Sequence, residues 1–268
     1  MKPGLFLLLL AVSTPALAAA NPAAMPAAIA PMAGDRSHYA ACLALVKSDP
    51  DRAIENAQSW RIEGGGVPAL HCLALAQFQR QQYPEALKSY ESAATASEAA
   101  HDGQAVTLWS QGADAAMIAN QPATAVRFLG RAIGDGKGNG AGGITLSPRA
   151  EAALRVTRAE ALVDLKRNAE AATDLDTATK ADPETPYGWL LKATLARRMG
   201  DFKTAETAIL LAAQREPESA DVQYEAGNIA AAQGNDQLAR TAWLAAARAE
   251  PDSPAGIAAS KALTQSSD

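Results

Sequence analysis

Residues that carry catalysis or bind metals are scarce in this sequence. Of its 268 residues, two are cysteines and three are histidines, and only 5% are aromatic. The sequence contains no G-x-S-x-G, no H-E-x-x-H and no Rossmann glycine pattern, and no histidine stands in a known nucleophile motif. We therefore expect a protein that is not an enzyme, with no catalytic residue, no metal and no cofactor.

One pair of acidic residues invites a catalytic interpretation. Asp174 and Asp176 are two residues apart in a helical pattern. Residues at that spacing do not face each other on a helix, because neighbours on a helix surface are three or four residues apart. We expect the pair to form a solvated edge.

Basic charge is also in short supply. The chain has 24 lysines and arginines against 29 acidic residues, a formal net charge of −5. A nucleic-acid partner requires a basic face, so this balance argues against one. With 48% hydrophobic and 20% charged residues, the chain can bury a continuous core.

The one long apolar run lies at the N-terminus. Lys2 precedes the run from Leu5 to Val12, and small residues follow at 16–20, which is the pattern of a secretory signal peptide over residues 1–20. The run is shorter than the about 20 residues that span a bilayer. We expect cleavage after Ala18 or Ala20, a flexible Ala/Pro-rich leader over 21–36, and an exported, periplasmic protein without a transmembrane segment in the mature chain.

A spacing of 34 residues organises the C-terminal half. Aligned by this spacing, two consecutive stretches share prolines, glycines and alanines: Pro183, Pro217 and Pro251; Gly200 and Gly234; Ala205 and Ala239; Ala212 and Ala246. In each stretch, two apolar helical patterns flank the glycine, and the proline ends the second. Abundant alanine alone would not place glycine and proline on the same period. The stretches therefore predict repeated helix-turn-helix units.

These units resemble the tetratricopeptide repeat, whose pattern is W-x2-L-G-x2-Y, then A-x3-F, then A and P. The fifth unit matches it at Trp189, Ala193, Ala205, Ile209, Ala212 and Pro217. The sixth matches it at Gly227, Ala239, Trp243, Ala246 and Pro251, with Gln223 in place of the tryptophan and Ala230 in place of the tyrosine. The resemblance implies an all-α fold, a right-handed α-solenoid of about six repeats over 37–253. A capping helix and tail are expected over 254–268.

Two interruptions of the pattern carry predictions. A Gly-rich loop over 134–147 contains Lys137, but the phosphate-loop spacing is absent and no strand precedes it, which favours a flexible insertion over a phosphate site. In the fourth unit, Lys166-Arg167-Asn168 replaces the glycine of the helix-helix turn.

The two cysteines fall on the first helices of the first and second units. First helices of neighbouring repeats stand side by side in this family, so the resemblance brings Cys42 and Cys72 together. In an exported protein we expect them to form a disulfide. The alternative, a metal or redox site built with His71 and His38, finds no recognised ligand spacing.

In proteins of this family the first helices line a concave groove that holds peptides or helices. Carried over to this sequence, the partner-binding positions are Phe78, Asp114, Glu160, Tyr187, Thr194, Arg197, Arg198, Tyr224 and Asn228, with His71, Leu75, Ser110, Met117, Val156, Asp164 and Leu190 beside them. The implied surface is apolar toward the N-terminus, acidic in the middle and basic, with tyrosine, toward the C-terminus. Arg197 and Arg198 would suit the acidic end of a peptide; the alternative is that both are merely solvated.

The resemblance thus implies an exported scaffold that binds a protein or peptide in its groove, for example in assembling an envelope complex. The alternative is a structural protein that self-associates into homo-oligomers through its repeat faces. The family's asparagine-and-lysine clamp for chain-terminal carboxylates is not matched here.

Overall fold

The computed structural model describes residues 36–134 and 139–265. The predicted signal peptide, and the leader up to residue 35, lie outside the described residues. Within that part the chain forms thirteen α-helices and no strand: α1 Arg36–Ser48, α2 Pro50–Ile62, α3 Gly66–Gln79, α4 Tyr83–Ala100, α5 Ala105–Ile118, α6 Pro122–Ile133, α7 Pro148–Asp164, α8 Asn168–Ala181, α9 Pro186–Arg198, α10 Phe202–Arg215, α11 Ala220–Ala232, α12 Asp236–Ala249 and α13 Pro254–Gln265.

The helices form six antiparallel pairs, α1/α2 to α11/α12, stacked in chain order, with α13 packed on α11 and α12. Direct packing also joins the odd-numbered helices α1 to α3, α7 to α9, α9 to α11 and α11 to α13, whereas no pair of even-numbered helices packs to a similar extent in the described part. The odd helices therefore form the inner layer of a curved stack and the even helices the outer layer. The predicted all-α repeat solenoid is confirmed.

Alanine and glycine allow the helices to approach closely. Ala193, Ala205 and Ala212, which recur at the 34-residue spacing, are completely buried. Elsewhere an aromatic ring takes the space that a glycine leaves: a Cβ on Gly112 would come within 2.9 Å of the Phe128 ring. In the same way, a Cβ on Gly227 would overlap the indole of Trp243. The few aromatic residues thus fix the distance between helix axes.

The turn inside each of the second to sixth units has one position in the left-handed region. It is occupied by Gly200 and Gly234 in the fifth and sixth units, but by Gln81, Asn120 and Lys166 in the second, third and fourth, with φ between 55° and 60°. A side chain at positive φ is strained, since Cβ crowds the following carbonyl oxygen. These units therefore share the same turn geometry, although only two of them have glycine at the left-handed position.

The insertion between α6 and α7 is partly packed. Residues 135–138 lie outside the described part, but residues 139–147 form a short 3-10 turn at Ala141–Gly143, and the Gly140 N–H donates to the Ile144 carbonyl at 2.7 Å. Ala141 is buried in the core formed by α3 to α7. The interpretation as a flexible insertion is therefore wrong for residues 139–147, because their apolar side chains pack on neighbouring helices.

The first unit is attached to the second through α1 and α3. Cys42 and Cys72 are fully buried at this contact, with their Cα atoms 6.3 Å apart and their sulfur atoms at bonding distance. Arg80, directly after α3, also pairs with Asp51 of α2 at 2.6 Å. The geometry suits the expected disulfide, which would tie the N-terminal unit of the stack to its neighbour.

Replacing Lys166 by glycine is expected to raise the free energy of unfolding by about 1 kcal/mol, because glycine removes the strain of a positive φ. The matched reciprocal variant Gly200→Lys is expected to lower it by a similar amount. Urea unfolding followed by circular dichroism measures both, and equal stability of Lys166→Gly and the unsubstituted protein would contradict the expected turn geometry.

The disulfide is expected to stabilise the protein by about 2–4 kcal/mol, because it closes a long loop in the unfolded chain. A thiol assay on protein unfolded without reductant should find no free thiol. The double variant Cys42→Ala, Cys72→Ala should unfold at lower urea than the oxidised protein. Two titratable thiols in protein purified from its native host without reductant would show that the bond is not formed.

Candidate binding groove

The inner faces of α3, α5, α7, α9 and α11 form the candidate groove, and we use "groove" for this surface. Glu160, Thr194 and Asn228 follow one another at the 34-residue spacing, so each occupies the same position on its helix. Asp114 precedes Glu160 by this spacing plus a twelve-residue insertion. Carboxylates therefore hold this position in the third and fourth units, and neutral side chains in the fifth and sixth.

The N-terminal part of the groove is apolar. Phe78 is half-buried, with its ring centroid 5.5 Å from that of Tyr83, and Met117 is partly buried beside the same core. Ile118, at the end of α5, is 64% exposed, which is unusual for an isoleucine. The predicted residue set omitted it. It could have been found, because it takes the position in its helix that Asp164 and Arg198 take in theirs.

His71 does not line the groove, contrary to the expectation. It is only 2% exposed, and the Tyr39 hydroxyl of α1 lies 2.7 Å from its Nδ1 atom. Burial lowers the pKa of the imidazole to about 4. The first unit covers His71, so this residue belongs to the contact between α1 and α3.

The middle of the groove carries carboxylates without a cationic partner among the described residues. Asp114, Glu160 and Asp164 make no ion pair there, although every unit on either side contains arginines or lysines. The neighbouring helices shield the Asp114 carboxyl from water and raise its pKa to about 6, although the residue as a whole remains exposed. Burial also raises the pKa of Glu160, and the charges of Asp164 and Asp114 add to this effect.

Tyr187 connects the fourth and fifth units across the groove. Its hydroxyl donates a hydrogen bond to the Glu160 carboxylate. Burial and the charge of Glu160 both raise the pKa of the phenol. Tyr187 as a whole is 47% exposed, while its hydroxyl is already hydrogen-bonded.

The C-terminal part is less basic than the resemblance implies. Arg197 pairs with Glu225 of α11 through two hydrogen bonds of 2.6 and 3.1 Å, and Glu225 is only 5% exposed. The Asn228 amide also donates to Glu225 at 3.3 Å and accepts from the Trp243 indole at 3.1 Å. Arg197 therefore joins the fifth and sixth units, and its charge is compensated.

The remaining predicted groove residues differ in how exposed they are and in whether their polar groups are already hydrogen-bonded. Arg198 is exposed, Tyr224 is half-buried against the core of the last unit, and the Thr194 hydroxyl donates to Leu190 of its own helix at 3.0 Å. With Arg197 compensated, Arg198 is the remaining cation among the predicted groove residues, and the three carboxylates of the middle part leave the groove with a net acidic charge.

The contact between the inner helix α7 and the outer helix α8 shows the opposite arrangement. Asp174 is 3% exposed and accepts hydrogen bonds from Arg155 at 3.0 Å and from Arg158 at 2.7 Å. The expectation of a solvated edge is therefore wrong for Asp174, because α7 presents two guanidinium groups to it.

Two further ion pairs lie beside a cleft of about 440 Å³ near this contact. Arg127 pairs with Glu91, and Arg167 pairs with Glu170.

Two further kinds of site were sought in the described residues. No group of three or more histidine, cysteine, aspartate or glutamate side chains there is arranged to hold a metal ion. No helix of the same part has the length and apolar character needed to cross a membrane.

This architecture defines a helical repeat protein with a concave inner face. The profile of the tetratricopeptide repeat family matches residues 156–215 and again residues 190–254, which are the C-terminal units. Residues 156–254 are therefore tetratricopeptide repeats, and the helix pairs before them continue the same stack. A search of curated proteins finds no match to the sequence.

Solved structures of other proteins share the fold over most of the chain. The type IV pilus biogenesis factor PilW is 15% identical, with a TM-score of 0.61 over 85% of this chain and 98% of its own. PilF of Pseudomonas aeruginosa is 16% identical, with a TM-score of 0.57 over 82% and 94%. YrrB, described as having an unusual peptide-binding site, is 17% identical, with a TM-score of 0.54 over 76% and 96%. At these identities the likeness concerns the fold.

Asp114→Asn is expected to raise the thermal midpoint at pH 7.5 by about a degree or two. The folded protein favours the protonated carboxyl, so ionisation above pH 6 costs stability. The gain should disappear as the pH falls toward 4, where the unsubstituted side chain is protonated. The control Asp174→Asn should destabilise instead, because it weakens a buried ion pair. A destabilised Asp114→Asn variant at pH 7.5 would contradict this assignment.

Proposed function

We propose that this protein is an exported, non-catalytic scaffold that binds another protein or peptide in the groove of its repeats. The partner-binding positions are the predicted ones, Phe78, Asp114, Glu160, Tyr187, Thr194, Arg197, Arg198, Tyr224 and Asn228, with Ile118 added. Arg197 acts indirectly, because its pairing with Glu225 fixes the position of the sixth unit.

The observation that carries the proposal is the contrast between two sets of carboxylates. Asp174 is buried and paired with two arginines of α7 at the contact between α7 and α8. The groove instead keeps exposed Ile118 and the carboxylates of Asp114 and Glu160, which have no cationic partner among the described residues. Exposed apolar and uncompensated charged groups on one concave surface are typical of an interaction site.

Two further observations support the cellular setting. Residues 1–20 have the pattern of a signal peptide, and the buried cysteines at bonding distance suit an oxidising compartment. Among proteins of the same fold, PilW is a pilus biogenesis factor and YrrB has a peptide-binding site. A role in assembling an envelope complex in the periplasm fits this combination.

Self-association is the second candidate, and one feature favours it. Leu210 of α10 and Leu244 of α12 are 34 residues apart, so they occupy equivalent positions on the outer layer. Their side chains are 62% and 41% exposed. A row of exposed leucines on the outer surface offers a contact for a second copy of the chain.

Photo-crosslinking in the native host separates the two functions. A photoreactive amino acid replaces Ile118 in the groove, and in a second strain it replaces Lys203, which is exposed on the outer helix α10. The groove proposal expects a discrete adduct with a different protein from position 118 alone.

Two other crosslinking results would contradict groove binding. A crosslinked dimer of this chain from position 203, with no adduct from position 118, would favour self-association over groove binding. Absence of any adduct from position 118 while the protein is folded and exported would contradict groove binding.

A further inference from the structure

We propose that a cavity between α7, α8 and α9 receives one bulky aliphatic side chain of the groove ligand, and that Glu160 binds a lysine or arginine two residues along the same ligand. This inference rests on the proposed function and specifies the chemistry of the partner. The occupant is thus an extended segment of another protein with the pattern apolar–any–basic, in either chain direction.

The cavity has mainly apolar walls. Its volume is about 290 Å³, and the lining includes Ala152, Ala153, Val156, Ala178 and Gly188. Pockets for whole small molecules have volumes of roughly 300–1,000 Å³, so this one stands at their lower limit and has room for a bulky aliphatic side chain. Tyr187 also lines it and belongs to the groove, which places the cavity at the groove.

Gly188 is one reason why the space exists. A Cβ at this position would lie 3.6 Å from the Thr179 methyl group and 3.7 Å from a Val156 methyl group, which are ordinary contact distances. Gly188 therefore differs from Gly112 and Gly227, whose missing side chains are replaced by aromatic rings. Between the fourth and fifth units no side chain of the described chain fills the corresponding space.

The charge beside the cavity identifies the second ligand group. Tyr187 forms part of the wall and donates its hydroxyl hydrogen to Glu160. Glu160 has no cationic partner in the described part, and the electrostatic effects of Asp164 and Asp114 place both carboxylates nearby. Arg149 and Asp182 at the rim carry opposite charges, so they add little net charge. The surface next to the cavity is complementary to a cation.

The spacing of the two features fits an extended chain. Val156 lines the cavity and Glu160 follows it by one helical turn, a separation of about 5–6 Å between Cβ atoms. Side chains on one face of an extended peptide are two residues apart, or about 6.6 Å. One intervening residue therefore brings an apolar side chain to the cavity and a basic one to Glu160.

Selection from a phage-displayed library of random peptides tests the pattern with the purified protein. The variant Ala153→Leu places a bulky side chain at an exposed wall of the cavity, so it should fold normally, which circular dichroism checks. Glu160→Gln removes the charge but keeps an acceptor for Tyr187. The control Ala169→Leu makes the same alanine change at an exposed position of α8 outside the cavity lining.

The unsubstituted protein and the control are expected to enrich the apolar–any–basic pattern. A synthetic peptide of the enriched sequence should bind Ala153→Leu about 10- to 100-fold more weakly than it binds the unsubstituted protein, because the burial of one aliphatic side chain contributes an affinity of that size.

The substitution Glu160→Gln should reduce the affinity for the same peptide by about 2- to 5-fold at low salt. The reduction should be smaller at high salt, because salt screens a partly exposed ion pair.

Enriched peptides without the pattern, or peptides that bind Ala153→Leu and the control equally, would overturn this inference. So would a failure to enrich any peptide. The proposed function is judged separately by the adduct at position 118: an adduct together with unchanged binding by Ala153→Leu means that the ligand uses the groove but not this cavity.

Discussion

Close approach between helices, made possible by alanine and glycine, is the constraint on which the structure depends. Ala193, Ala205 and Ala212 are completely buried because two helix axes cross there with no room for a longer side chain. Packing at this density gives each atom many weak dispersion contacts, and an added methylene forces neighbours apart. Because these small residues recur at a regular spacing along the sequence, the units stack at a regular distance from one another.

The scarce aromatic residues complete the same packing. Trp243 lies over Gly227 and Phe128 over Gly112, so each large ring meets a helix where no side chain projects. A ring in such a position buries much apolar area and also fixes the angle between helices. This explains how a chain with 5% aromatic residues maintains a well-defined core.

The charged groups are of two kinds. Arg155 and Arg158 of α7 compensate the buried charge of Asp174 and stabilise the contact between α7 and α8. On the inner layer, Asp114 and Glu160 carry charge at a cost, since their pKa values are raised. Groups that cost stability while facing solvent on a concave surface are the groups for which binding offers an explanation.

Periodicity in the sequence predicted the helices, their turns and the pairing of units, because these depend on positions 34 residues apart that can be compared directly. The family resemblance, through its side-by-side first helices, also placed Cys42 near Cys72. Contacts between residues that are not at equivalent positions of the repeat could not be predicted in this way. The Arg197–Glu225 pair depends on how far the sixth unit rotates on the fifth, and burial of His71 depends on how α1 lies on α3. The cavity beside Gly188 is a volume that no residue fills, and a sequence pattern does not record such a volume.

The hydrogen bond from Tyr187 to Glu160 joins two consecutive units on the inner face of the curve. A stack of this kind bends at the contacts between units, and contacts on the inner face resist opening. The proposed ligand cation would bind the same carboxylate that accepts this hydrogen bond. Under that proposal, occupation of the groove and curvature between the fourth and fifth units would be linked.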